Sequence, residues 1–203
     1  MSKSAQQRIE ESALILFSHQ GFHETSISQI AKKAKLSEVT VFRIFGTKRD
    51  LYLEVIKQYF SDDDFNLNAL MSELTFEDLN DDLIKIIMNF YKLYFERIHI
   101  TRIMISNYIQ FDEIRELGAL IIPAFEAFLY KYLNEMIMRH DSIPSSLLVM
   151  PKYMLATILK DVTFLTTFNK KDTLDDALLE TLESKWKTQL DTFILMFSNH
   201  RES

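Results

Sequence analysis

Residues 25–51, TSISQIAKKAKLSEVTVFRIFGTKRDL, contain three helix starts in close succession. Ser26 followed three residues later by Gln29 is a capping-box pattern, and Ile27, Ile30, Ala31 and Ala34 follow at helical spacing. Ser37 is a second N-cap residue, ahead of a segment from Thr40 to Phe45. Thr47, three residues before Asp50, opens a third helix behind the break at Gly46. Only Lys35 and Leu36 separate the first two helices. Two short helices joined by so tight a turn form a helix-turn-helix, which presents its second helix to the major groove of DNA.

At about 100° per residue, Val41 and Phe45 share one face of the second helix, with Phe42 near them and Leu36 just ahead in the turn. Val39, Thr40, Arg43 and Ile44 spread over the other face. A helix serving only a core carries charge outside, whereas apolar residues beside Thr and Arg suit the reading of thymine methyls and guanine edges. The plainer reading is a small amphipathic helix with scattered surface apolars.

From Phe17 to Leu51 the pattern F-x-x-x-G-F-x-x-T-S-I-x-x-I-A-x-x-A-x-L-S-x-x-T-V-F-x-x-F-G-T-K-x-D-L resembles the DNA-binding domain of the TetR family of transcriptional regulators. Beyond residue 60 the resemblance reduces to chain length and helical character. It implies roles by position. Thr25 and Ser26 would meet a phosphate at a helix N-terminus, where the dipole is positive. Ser37 would cap the recognition helix; Thr40, Phe42, Arg43 and Ile44, with Val39, would face the groove; Lys48 would pair with a phosphate.

Three departures from the family pattern stand out. Lys35 occupies the turn position usually held by Gly, which asks a non-Gly residue to take positive φ. Phe42 replaces the usual Tyr and loses a hydroxyl donor. Glu38 suits the helix dipole but repels DNA wherever it points at the backbone.

The net charge of −6 divides unevenly along the chain. Residues 1–50 hold eight Lys and Arg against five acids, and residues 51–203 hold fifteen against twenty-four. A basic head on an acidic body orients a protein on a polyanion. Nearly half of the residues are hydrophobic, while only three Gly and three Pro punctuate the chain, so long helices follow. No apolar run is long enough for a membrane span, and the polar start MSKSAQQRIEE has no signal-like apolar region. With zero cysteines, disulfides and thiol chemistry are excluded, and the expected localisation is cytoplasmic.

The first helix is expected from about Ser4 to Gln20, stopping at Gly21, and the fourth from Lys48 to about Phe60. Ser61-Asp-Asp-Asp64 marks a boundary, so the expected domains are residues 1–62, the helix-turn-helix head, and residues 63–203, a helical ligand-binding and dimerisation body. Thr75 with Asp78 caps a long helix through Phe95; a shorter one ends near Phe111. Residues 113–139 form the next, bent or broken near Gly118 and Pro123, and two more run to Phe168 and from Leu174 to Ser198. The fold class is all-α, with a three-helix head followed by a larger helical body and about nine helices in all.

No Gly-rich phosphate loop, H-E-x-x-H or G-x-S-x-G is present, and His19 and His23 lack companions for a metal site. An enzyme, a cofactor and a metal are therefore not expected. An apolar effector pocket is expected among Tyr59, Tyr91, Tyr94, Tyr108, Phe125 and Phe164, although most aromatics of the body serve its core. By resemblance, the last two helices pair across a two-fold axis through Leu155, Leu159, Val162, Trp186, Leu190, Phe193 and Phe197.

The reading is a homodimeric regulator whose partners are a palindromic double-stranded DNA operator and a small lipophilic or aromatic effector, with repression relieved by that effector. The alternatives are a helical small-molecule-binding protein without DNA binding, or a protein-interaction adaptor.

Overall fold

The structure is a computed structural model that describes residues 3–59, 67–169 and 171–198. The scarcity of Gly and Pro is expressed as ten α-helices and, among the described residues, no strand. They are α1 (Ala5–Glu24), α2 (Ile27–Ala34), α3 (Glu38–Phe45), α4 (Lys48–Tyr59), α5 (Leu67–Ser72), α6 (Leu79–Glu96), α7 (Ile98–Asn107), α8 (Asp112–Arg139), α9 (Met150–Thr163) and α10 (Asp176–Ser198). Their packing forms two compact units. The expected boundary at residue 62, with its acidic run, lies outside the described residues.

The first unit joins residues 1–65 to residues 97–118. Ser4 caps α1 in a reciprocal box with Gln7, and Gly21 leaves helical geometry at φ 82°, ψ 173°, where the sequence predicts a stop. Ile9, Ala13 and Phe17 of α1 meet Ile30, Val41, Leu51 and Val55 in one buried cluster. Each of these side chains larger than alanine contributes about 1.5–3 kcal/mol on leaving water. The core is larger than the three-helix one the sequence implies, because Ile100 and Ile103 of α7, Phe111 and Ile114 join it. Tyr52 sits edge-on to Phe17 and Phe22 with centroids 4.9 Å away, and Phe111 closes this aromatic knot.

The second unit holds residues 66–96 and 119–203. Its long helix α6 packs on α9 and α10. Tyr91 of α6 donates its hydroxyl hydrogen to Asp161 Oδ2 at 2.8 Å and accepts from Trp186 Nε1 at 2.9 Å, all buried. Burial, more than the Asp161 carboxylate, drives the Tyr91 phenol far above its ordinary pKa. Lys185 neutralises Asp161 from the rim.

The start of α6 differs from the sequence expectation. Asp78 alone caps it, accepting from the Asp81 N–H at 2.9 Å, whereas Thr75 and Phe76 donate their amides to the buried Asp82 at 3.0 and 2.8 Å. This holds Phe76 at φ 58°. Residues 113–139, expected to be bent or broken near Gly118 and Pro123, are not broken: α8 continues as one helix through both. A 3-10 turn (Ser145–Val149) leads into α9, which ends in a π-helical turn (Phe164–Phe168).

Candidate nucleic-acid interface

The helix-turn-helix is built from its caps. Ser26 Oγ accepts from the Gln29 N–H at 3.2 Å while Gln29 Oε1 accepts from the Ser26 N–H at 2.8 Å. Ser37 Oγ accepts from the Thr40 N–H at 3.2 Å and shares a 2.9 Å hydrogen bond with the Thr40 hydroxyl. Thr47 and Asp50 cap α4 reciprocally, at 3.1 Å from Thr47 N–H to Asp50 Oδ2 and 3.0 Å from Asp50 N–H to Thr47 Oγ1. Gly46 between α3 and α4 stands at φ 76°, where a side chain is strained.

These caps fix which face of α3 is free. Val41 alone is fully buried; Val39 is 75% exposed and Phe42 50% exposed. Arg43 is exposed and Thr40 half-buried beside them. Helical spacing sets Phe42 near the core side and the family resemblance sets it toward the groove; in the structure it is exposed. Ile44, expected in the groove, instead packs half-buried against the core, about a turn after the buried Val41. Exposed Ser26, Lys32, Lys33, Lys35 and Ser37 surround this face.

Two predicted phosphate contacts are placed differently. Thr25 is only 1% exposed and its hydroxyl donates to the Gly21 carbonyl at 2.7 Å, so it closes the end of α1 rather than facing outward. Lys48 directs its ammonium at the carbonyls of Phe22 (2.9 Å) and Thr25 (3.0 Å), a place no local sequence signal reveals. Arg8, which no local sequence pattern marks, donates from its guanidinium to the carbonyls of Ala34 and Lys35 across the turn. Lys35 itself takes the left-handed conformation at φ 55°, ψ 48° that its place in the turn demands.

Residues 9–55 match the family described as "Bacterial regulatory proteins, tetR family". The chain carries a TetR-family head. Solved structures extend the likeness of fold to nearly the whole chain. A transcriptional regulator of the TerR/AcrR family from Aquifex aeolicus is 21% identical, with 93% of this chain and 99% of that one covered and a TM-score of 0.60. A TetR-like transcriptional regulator from Rhodococcus sp. is 17% identical, with 94% and 98% covered and a TM-score of 0.64. The transcriptional regulator FadR from Bacillus subtilis, in complex with stearoyl-CoA, is 19% identical, with 90% and 96% covered and a TM-score of 0.61. No curated protein matches the chain.

The packing of the helices places the other two predicted sets differently. Of the seven residues expected at a dimer interface, Leu155, Val162, Trp186 and Leu190 are buried inside their own unit. Trp186 is there because its N–H serves Tyr91. The apolar residues that α9, α10 and the π turn leave to solvent are Tyr153, Phe164, Phe168, Leu195 and Met196, with Leu159, Phe193 and Phe197 half-buried. Phe164 and Phe168 tilt against each other at 5.7 Å.

The predicted pocket aromatics fall in both units, Tyr59 and Tyr108 in the first and Tyr91, Tyr94, Phe125 and Phe164 in the second. Tyr91 is a hydrogen-bonded core residue, and Phe164 is 54% exposed rather than a lining residue. Desolvation pushes the Tyr94 phenol up to about 12. Among the described residues no group of three or more His, Cys, Asp or Glu could hold a metal ion, and no helix is long and apolar enough to cross a membrane.

Proposed function

We propose that this chain is a DNA-binding transcriptional regulator, a ligand-responsive repressor that binds a palindromic operator as a dimer. The observation that carries it is the free face of α3, with exposed Val39, Phe42 and Arg43 on a helix whose opposite side is anchored by Val41. Apolar side chains left at such exposure beside an arginine suit base edges and thymine methyls better than bulk water. One head of eight-residue helices covers too little duplex for tight specificity, so two heads on a pseudo-palindrome are required. The exposed Tyr153, Phe164, Phe168, Leu195 and Met196 support self-association of the last two helices. The stearoyl-CoA complex of the B. subtilis relative supports a lipophilic effector, in keeping with the aromatic content of the body.

Selection of bound duplexes from a random pool tests this reading. A two-fold-symmetric site, bound with steep salt dependence, is the expected product. A dimer that stabilises with lipophilic ligands but enriches no duplex would instead favour the small-molecule-binding alternative.

A further inference from the structure

The turn between α2 and α3 contains a strained residue and a complete set of partners for it. An α-helix leaves its last carbonyls without intrahelical donors. At the end of α2, the Lys35 N–H returns to the Lys32 carbonyl at 3.2 Å and the Leu36 N–H to the Ala31 carbonyl at 2.9 Å. That is a Schellman cap, and it is ordinarily closed by a glycine in the left-handed region. Lys35 occupies that position at φ 55°, where a Cβ carries a cost. The carbonyls of Ala34 and Lys35 point onward to α1, and the half-buried Arg8 guanidinium donates to both. Its charge also lies at the negative end of the α2 dipole. Both hydrogen bonds leave one nitrogen, Nη2, so a single arm of the guanidinium ties the two adjacent carbonyls together.

We infer that Arg8 is a positioning residue for DNA reading: it pins the Lys35 turn and thereby sets the angle at which α3 leaves α2. This rests on the DNA-binding reading above. Arg8 offers the turn what glycine offers elsewhere, a stable left-handed cap. The two devices are therefore interchangeable, and that is testable by substitution at both ends.

The variants are Arg8→Gln, Arg8→Lys, Lys35→Gly and the Arg8→Gln/Lys35→Gly pair, assayed against the duplex selected with the wild-type chain. Arg8→Gln weakens binding about tenfold at a temperature where circular dichroism shows the helices intact, with Arg8→Lys intermediate. The slope of log affinity against log salt stays that of wild type, because a residue that neutralises no phosphate releases no counterion. Lys35→Gly in the Arg8→Gln background restores most of the affinity. Amide exchange at Leu36, read without DNA, speeds up in Arg8→Gln and slows again in the pair.

A salt slope reduced by about one phosphate in Arg8→Gln overturns the inference in favour of direct contact. So does unchanged Leu36 exchange, or a pair as weak as the single variant. If the wild-type chain enriches no duplex, the DNA reading falls, and the Leu36 exchange of the same four variants still decides whether Arg8 holds the turn.

Discussion

Lys48 is bound to Phe22 twice, through a 2.9 Å hydrogen bond to its carbonyl and by lying 4.4 Å from the centroid of its ring. The same ammonium reaches the Thr25 carbonyl at 3.0 Å. The N-terminus of α4 is thus tied to the end of α1.

Lys48→Met is expected to destabilise the head by about 1–3 kcal/mol, the scale for charged hydrogen bonds lost to partly buried acceptors. A thermal melt reads it. Binding to selected and unselected duplexes should fall in equal proportion. Loss confined to the selected duplex would place Lys48 among the base-reading residues.

Arg43→Ala separates reading from holding. Arg43 is exposed on α3 and carries no structural role in the caps of that helix. The expected cost is about 1–3 kcal/mol on the preferred sequence, with unselected duplex nearly unaffected. Competition binding against single-base variants of the site measures it.

Two of the fully buried tyrosines, Tyr52 and Tyr91, should respond in opposite directions to loss of their hydroxyls. Tyr91→Phe strands the buried Trp186 N–H, while Asp161 Oδ2 keeps Lys185, and costs about 1–3 kcal/mol. Tyr52 has no hydrogen-bond partner for its buried hydroxyl among the described residues, so Tyr52→Phe is expected to be neutral or stabilising. Chemical denaturation of both variants gives the comparison.

The α4 cap adds an acid-sensitive contribution. Hydrogen bonds from the Thr47 side chain and backbone, then the nearby Arg49, hold the Asp50 carboxyl below its ordinary range. Because the folded value is depressed, the stability it provides is present above the unfolded pKa and lost as pH falls through the folded one. Thr47→Ala should cost about 1 kcal/mol near neutrality. The difference between variant and wild type should shrink towards low pH in urea titrations.

Assembly is tested on the residues the structure leaves outside. Phe164→Glu with Phe168→Glu removes two exposed rings and should leave the fold intact while yielding a species of about 24 kDa by sedimentation. Trp186→Ala, by contrast, should cost about 3–5 kcal/mol in the protomer itself. A wild-type chain that sediments as a monomer at micromolar concentration overturns the dimer.

Ser26, Ser37 and Thr47 were legible as caps because an N-cap is satisfied within three residues, and such partners lie next to each other in the sequence. The same locality made the two short helices and the stop at Gly21 predictable from the order of residues alone, while the left-handed Lys35 follows from the family resemblance. What lay beyond that reach was decided by the tertiary structure. Arg8 and Lys48 find carbonyls 23 or more positions away, and α7 joins a core begun at Ile9. Whether Trp186 is an interface or a core residue depends on Tyr91, a helix distant in sequence. Ile44 lies against the core and Phe42 is exposed because burial depends on neighbours that helical spacing does not contain. Caps and turns are local hydrogen-bond problems; the direction of a long side chain is settled only when the chain has brought its partner to it.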